Sequence, residues 1–371
     1  MKVWVDGSAF ENTHQWGIWR VFYEIMSRTC DEVDYTLHLR SDPKQPLPPG
    51  VRVFRDEGRI ECGRWNLPQR LRRRMSNRRE PAALNSADLF HSTGFTWSSN
   101  PAVKSIITVH DMVAESHFPI CIRELQESIA IKRESMQHAT MLPCVSHSTA
   151  EELAAFYPSL ADKSRVIHHG AEHLTDSSAI STGATDSNAT RSKTGNALFV
   201  GNRIGHKNFF NLLDALRAPA WPSGVELTVV GSPFSEAEKA LIRRHRLTSR
   251  INHVGYLSHQ QLRDAYREAA CLVFPSFQEG FGLPCLEAQS LDCPLVCSDI
   301  PVFHEVAGDA ALFFDPRLGE HIADQVAQAV DTETRRKLTS LGANNLRRFS
   351  WDESGRQMIQ LYEEAFQGQS E

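Results

Sequence analysis

Two glutamates eight positions apart, Glu279 and Glu287, bracket the run Gly280-Phe281-Gly282-Leu283-Pro284-Cys285-Leu286. Carboxylates accept hydrogen bonds, and sugar hydroxyls are abundant donors. Glycines let the main chain come close to a ligand, and a helix opening at Pro284 offers unpaired N–H groups to an anion. Two glutamates at this spacing are ordinarily surface charges; the Gly-Phe-Gly-Leu-Pro between them is what marks a built site. A second segment, Val200-Gly201-Asn202-Arg203-Ile204-Gly205-His206-Lys207-Asn208, reads as a strand end, a loop with two glycines and two cations, and a helix start. Such a loop suits a phosphate, although alone it is a weak signal and a surface lysine explains it equally well. Thr108-Val109-His110-Asp111 ends another strand. A histidine there is more often structural; its alternative is a ligand contact, with Asp111 as a local orienting partner. Gly17-Ile18-Trp19-Arg20 opens a helix, so Gly17 either caps it or, with Arg20, borders a ligand. Ser146 and Thr149 read as helix caps rather than catalysts.

Short apolar runs alternating with helical periodicity are what must carry these residues, the pattern of parallel sheets wrapped by helices. Strands are expected at 2–6, 35–39, 51–54, 88–91, 105–109, 141–145 and 165–168, with helices at 18–29 and 124–137. A second series has strands at 197–200, 226–230, 251–254, 271–274 and 294–297. Its helices are expected at 208–216, 236–244, 259–269 and 284–290. Between the series, 172–195 turns to Ser, Thr, Ala, Asp and Gly with no apolar face, which reads as a flexible linker or insertion. The expected division is an N-terminal domain over 1–171, the linker over 172–195 and a C-terminal domain over 196–350. A C-terminal helix over 351–371 is a candidate to pack back on the first domain. The fold class is α/β: two Rossmann-like doubly wound domains facing a central cleft, where this architecture usually places ligands.

At 371 residues the chain exceeds what one core usually serves, and 41% hydrophobic with 23% charged residues is a globular profile. A net charge of −5 gives no reason to expect nucleic acid. The apolar run before Asp6 is too short for a signal peptide, and no stretch is long enough to span a bilayer, so a cytoplasmic location is expected. Eight cysteines make no Cys-x-x-Cys pair and are read as core residues. Arg64, Arg70, Arg72, Arg73, Arg74, Arg78 and Arg79 crowd one stretch with Trp65, Leu67, Leu71 and Met75. A solvated helix face is the ordinary account. The sharper one is peripheral contact of Arg64–Arg79 with an anionic membrane at the inner face, or with a pyrophosphate-bearing acceptor.

Phe274-Pro275-Ser276 followed by Glu279-Gly280-Phe281-Gly282-Leu283-Pro284-Cys285-Leu286-Glu287-Ala288 resembles the E-x7-E signature of family 4 retaining glycosyltransferases, which have the GT-B fold. Val254-Gly255-Tyr256-Leu257, Ser298-Asp299-Ile300-Pro301 and 305–311 extend the resemblance. It implies a hexosyltransferase drawing on a nucleotide-sugar donor, with Glu279 on the donor sugar and Glu287 on the ribose. Gly280 and the main chain of Phe281, Gly282 and Leu283 would line the sugar and diphosphate. Gly201 and Lys207 would hold the phosphates. The chain has Asn202 and His206 where the family often carries arginine, and Arg203 is the expected replacement. His110 would reach the transferred sugar, and Gly17 and Arg20 would lie on the acceptor side.

No Asp-x-Asp triplet occurs, so a metal clamp is not expected and no cofactor is required: Lys207, Arg203 and helix N-termini would do the cation's work. Retention has two routes. One is a covalent glycosyl-enzyme on Glu279. The other, which the resemblance implies, is front-face attack with the leaving phosphate taking the acceptor's proton. GDP-mannose is the first donor expected and a UDP-hexose the second, with a glycan or lipid-linked saccharide as acceptor. The rival readings are a GT-B sugar-nucleotide epimerase and a non-catalytic nucleotide-sugar-binding protein.

Overall fold

The computed structural model describes residues 1–12, 16–55, 81–116, 122–174 and 195–368. The arginine-rich stretch 64–79, most of the 172–195 segment, Cys62 and Cys121 lie outside the described residues.

The chain divides into two units. The first comprises 1–170 together with 351–371, and the second 171–350. In chain order the first carries β1 (Lys2–Asp6), α1 (Ser8–Glu11), α2 (Trp16–Thr29), β2 (Asp34–Leu39), β3 (Arg52–Arg55), β4 (Leu89–Ser92) and β5 (Lys104–Ile107). It continues with α3 (Ile122–His138), β6 (Ala139–Cys144), α4 (His147–Phe156) and β7 (Ser164–Val166). The second unit carries β8 (Asn196–Val200), α5 (Phe209–Ala215), β9 (Glu226–Val230), α6 (Glu236–Arg244), β10 (Ile251–Gly255), α7 (His259–Glu268) and β11 (Cys271–Phe274). Next come α8 (Leu283–Ser290), β12 (Leu295–Ser298), α9 (Pro301–Ala307), β13 (Leu312–Phe314), α10 (Gly319–Ala329) and α11 (Thr332–Asn345). The last helix, α12 (Trp351–Gln367), belongs to the first unit and packs along α2.

Both sheets are parallel. Their strand orders are β3-β2-β1-β4-β5-β6-β7 and β10-β9-β8-β11-β12-β13, the doubly wound arrangement in each case. Parallel strands covered on both faces should be apolar throughout, and β11 with its four residues Cys271, Leu272, Val273 and Phe274 all buried is the clearest instance. In each sheet the winding reverses between two adjacent strands, β1 and β4 in the first and β8 and β11 in the second. Loops leaving the carboxyl ends of such a pair diverge and open a crevice. The segments singled out by their chemistry, 201–208 and 275–282, leave the carboxyl ends of β8 and β11.

Candidate active site

In the second unit, β8 runs into Gly201, which has φ +127° and donates its N–H to Val230 O at 3.0 Å. A 3₁₀ turn over Gly205–Lys207 follows, ending at Asn208 in the left-handed region at φ +56°. The buried Asn208 side chain secures this conformation by donating through Nδ2 to Pro275 O at 2.9 Å and Pro316 O at 2.6 Å. The loop after β11 is stitched to the same turn: Phe277 N–H donates to His206 O at 2.7 Å. With the two main chains tied, Lys207 Nζ meets Glu279 Oε1 at 2.5 Å, and Ser276 Oγ donates to that same oxygen at 2.7 Å. Lys207 Nζ also lies 5.6 Å from the centre of the Phe274 ring. Both donors converge on Oε1, which leaves Glu279 Oε2 without a hydrogen bond among the described residues. The glutamate side chain is 12% exposed and the lysine 23%, so the pair is sheltered yet reachable.

The turn then enters α8. Gly282 precedes it at φ +94°, and a Cβ there would come within 2.9 Å of Phe303 Cε1, so only glycine fits. The helix begins at Leu283, four positions after Glu279, with Pro284 in its first turn. Glu287 lies one turn further on and accepts the Tyr266 hydroxyl at 2.6 Å. Burial, and then the charge of Glu287, push the Tyr266 pKa well up, so the phenol stays a donor and orients that carboxylate.

Arg203, expected beside Lys207 on a diphosphate, has a side chain 3% exposed that pairs with Glu238, Nε donating to Oε1 at 2.6 Å, while its Nη1 is buried with no hydrogen-bond partner among the described residues. Its other terminal nitrogen donates to Ser232 O at 2.7 Å and Pro233 O at 2.9 Å, and its guanidinium stacks 4.7 Å from the Phe234 ring. Glu238 forms a capping box with Ser235 at the start of α6. His253 Nε2 is 3.0 Å from Gly231 O and 2.9 Å from Ser232 O. Arg203 therefore holds the loop after β9 in place.

In the first unit His110 follows the isolated bridge between Val109 and Cys144. Burial lowers its pKa to about 4; Asp111 opposes that shift and Lys132 adds to it, so the imidazole is neutral. Its Nε2 is buried and has no hydrogen-bond partner among the described residues. Asp111 acts locally, accepting Val113 N–H at 3.1 Å. The buried Lys132 pairs with buried Glu115 at 2.9 Å and donates to the Asp111 carbonyl, fixing the turn after His110. Gly17 and Arg20 sit within α2 rather than on a loop. Gly17 is exposed with open space where a Cβ would point. Arg20, expected on the acceptor side, is buried, ion-paired with Glu24 at 2.9 Å and stacked 4.5 Å from the Trp19 ring centre. Ser146 caps α4 by accepting Thr149 N–H at 3.0 Å.

Residues 184–345 match the family described as glycosyl transferases group 1. The second unit is a group 1 glycosyltransferase domain. The O-antigen chain mannosyltransferase B of Escherichia coli is 32% identical over 173 residues, a stretch covering 45% of each chain, so this protein aligns with under half of that relative's length. Sucrose-phosphate synthase from Thermosynechococcus elongatus superposes with a TM-score of 0.76 at 18% identity, covering 99% of this chain and 100% of that one. The Anabaena protein HepE, solved with UDP and glucose, gives 0.72 at 17% identity over 97% and 98%. These two likenesses concern the fold, which is GT-B with two Rossmann-like domains.

Within this glycosyltransferase domain, four residues that shape the site have no role assigned from sequence: Asn208, Gly231, Ser276 and Tyr266. Gly231 carried a usable signal, a glycine directly after the Val229-Val230 strand end. It has φ +141°, and a Cβ there would lie 2.4 Å from Gly201 O. The two strand ends can approach because residue 231 has no Cβ; at Gly201 a Cβ would meet nothing within 4 Å, and it is the φ of +127° that favours glycine there. Ser276 stands in the Phe274-Pro275-Ser276 run and Asn208 at the end of the 200–208 segment, neither with a role assigned, and Tyr266 carried no signal, since a tyrosine on a polar helix is commonplace.

Proposed function

We propose that this protein is a retaining hexosyltransferase that moves mannose from GDP-mannose to a glycan or lipid-linked saccharide acceptor. The observation that carries the reading is the Lys207–Glu279–Ser276 cluster at the switch point of the second sheet, with one carboxylate oxygen unengaged among the described residues and α8 starting four positions on. The carboxylate and lysine are complementary to a ligand that carries hydroxyls and a diphosphate together. The mannosyl unit is favoured because the Escherichia coli relative is a mannosyltransferase. A UDP-hexose is the second donor class, in line with the nucleotide and sugar held by HepE.

In this reading Glu279 Oε2 takes hydroxyls of the donor sugar, and Glu287, oriented by Tyr266, takes the ribose. Lys207 exchanges its ion pair for the diphosphate as the bond from the anomeric carbon to the phosphate oxygen breaks. The electron pair leaves with the nucleoside diphosphate, and Lys207 and the α8 N-terminus stabilise the developing charge. The acceptor oxygen bonds the anomeric carbon on the same face and passes its proton to the departing phosphate oxygen. His110 is neutral with a bare Nε2, which suits a hydrogen bond to a sugar hydroxyl in the first domain's share of the work. Transfer needs no divalent metal, and its rate is expected to be unchanged by EDTA; loss of turnover that added Mg²⁺ restores would contradict that.

Thermal shift across GDP-, UDP- and dTDP-sugars identifies the donor, because a ligand that binds only the folded state raises Tm. GDP-mannose should give the largest shift, and NMR of the product should show the α configuration of the donor. An inverted product would overturn retention, and an epimerised donor without acceptor would replace transfer by epimerisation.

A further inference from the structure

Behind the strand end that presents His110 runs a buried chain of hydroxyls and one imidazole whose proton positions can be counted. Thr29 Oγ1 donates to Ile25 O at 2.8 Å and lies 2.8 Å from the Tyr35 hydroxyl. The one proton of Thr29 is already committed, so Tyr35 donates to Thr29. Tyr35 is also hydrogen-bonded to Tyr362 of α12, and since its own proton is used, Tyr362 donates to it. The Tyr362 oxygen is 2.7 Å from His91 Nδ1, which must then carry a proton. Burial, followed by the nearby His110, lowers the His91 pKa to about 3. A neutral ring protonated on Nδ1 has a lone pair on Nε2, and this accepts the Thr108 hydroxyl at 2.8 Å. Every hydroxyl proton in the chain then has one acceptor, and all five side chains are buried.

The chain ends beside the candidate catalytic imidazole. Thr108 and His110 are two positions apart on an extended segment and share a face. The rings of His91 and His110 also pack on the same Phe22, at centroid distances of 4.9 and 6.2 Å. We propose that Tyr362 and His91 are positioning residues for His110. The C-terminal helix sets the His91 tautomer, and His91 acting through Thr108 and Phe22 fixes the strand end from which His110 projects. This rests on the assignment of His110 to the sugar made above.

The test combines imidazole ¹⁵N NMR on the full chain with donor kinetics, on wild type, Tyr362→Phe and Thr108→Val; the second variant cuts the chain at its other end should the first fold poorly. Wild-type His91 should carry its proton on Nδ1. Either substitution should shift the His110 resonances and lower kcat about 10-fold while donor KM stays within about twofold, as expected for a displaced group rather than lost binding. A His91 proton on Nε2 overturns the proposal, and so do unmoved His110 resonances. Wild-type kcat in a folded variant overturns it as well. If wild type transfers no sugar from any nucleotide, the proposed function fails, while the tautomer and the His110 shifts still decide the positioning.

Discussion

The two oxygens of Glu279 have different employments. Oε1 is saturated by Lys207 and Ser276, and Oε2 is open among the described residues. Lys207 in turn has a single anionic partner among the described residues, so a diphosphate that draws it away leaves Glu279 held by Ser276. Ser276→Ala should therefore be milder than loss of either charge, raising donor KM with little change in kcat. The converse result, a kcat collapse at constant KM, would assign Ser276 to the transition state instead. At Arg203 the prediction concerns stability. Arg203→Ala leaves Glu238 buried without its ion-pair partner, at a cost on the order of 3 kcal/mol, and should lower Tm. Burial alone would raise the Glu238 pKa, but the bonds from Arg203 and Ser235 outweigh it and hold the carboxyl below its ordinary value. A depressed carboxylate stabilises the fold above its unfolded pKa, and that stabilisation is lost as pH falls through the folded value. The Tm difference between wild type and Arg203→Ala should therefore shrink on acidification, and a difference that grows would contradict the pairing.

At the scale of elements, the loops at the carboxyl ends of β8, β9 and β11 depend on three glycines. Gly231→Ala places a methyl against Gly201 O in a left-handed conformation, strain of about 1–3 kcal/mol, and must separate the two strand ends. Donor affinity should fall at least about 10-fold; isothermal titration with an unchanged Kd would show that this approach does not shape the site. A parallel strand buried on both faces leaves a short, wholly apolar run, as at 271–274, and both that strand and the mixed Glu-Leu-Thr-Val-Val run 226–230 were expected at the bounds observed. The helix at 284–290 was legible from Pro284, yet begins at Leu283 because Gly282, with φ +94°, supplies its cap. Between 298 and 350 the sequence offers no element by pattern, whereas the helix expected from 351 is present as α12. The strand β13 has three residues, too few for periodicity, and α11 is largely polar, so packing rather than pattern decides both. Arg203 illustrates the limit at side-chain level: the sequence beside the glycine loop gives no hint of its ion-pair partner Glu238, 35 positions away.

For the whole molecule, the two units carry different chemistry and different sensitivities. The first holds two imidazoles that burial keeps neutral, His91 with a pKa of about 3 and His110 of about 4, against 6.5 when unfolded. The unfolded chain binds these protons first, so stability is fully present above pH 6.5 and declines as pH falls toward 4 and then 3. His91→Asn should flatten that decline in a Tm-against-pH series, whatever its effect at neutral pH; an unchanged slope would mean that other groups govern acid sensitivity. The second unit holds the cluster on which the functional reading depends. Release of nucleoside diphosphate from GDP-mannose with a mannan acceptor, by wild type, Lys207→Ala and Glu279→Ala, tests it most directly. Losing a group that stabilises transition-state charge costs about 10²–10³-fold in kcat, and both variants should lose that much while keeping a folded far-UV spectrum. Folded variants that release diphosphate at near wild-type rates would contradict the assignment of this site.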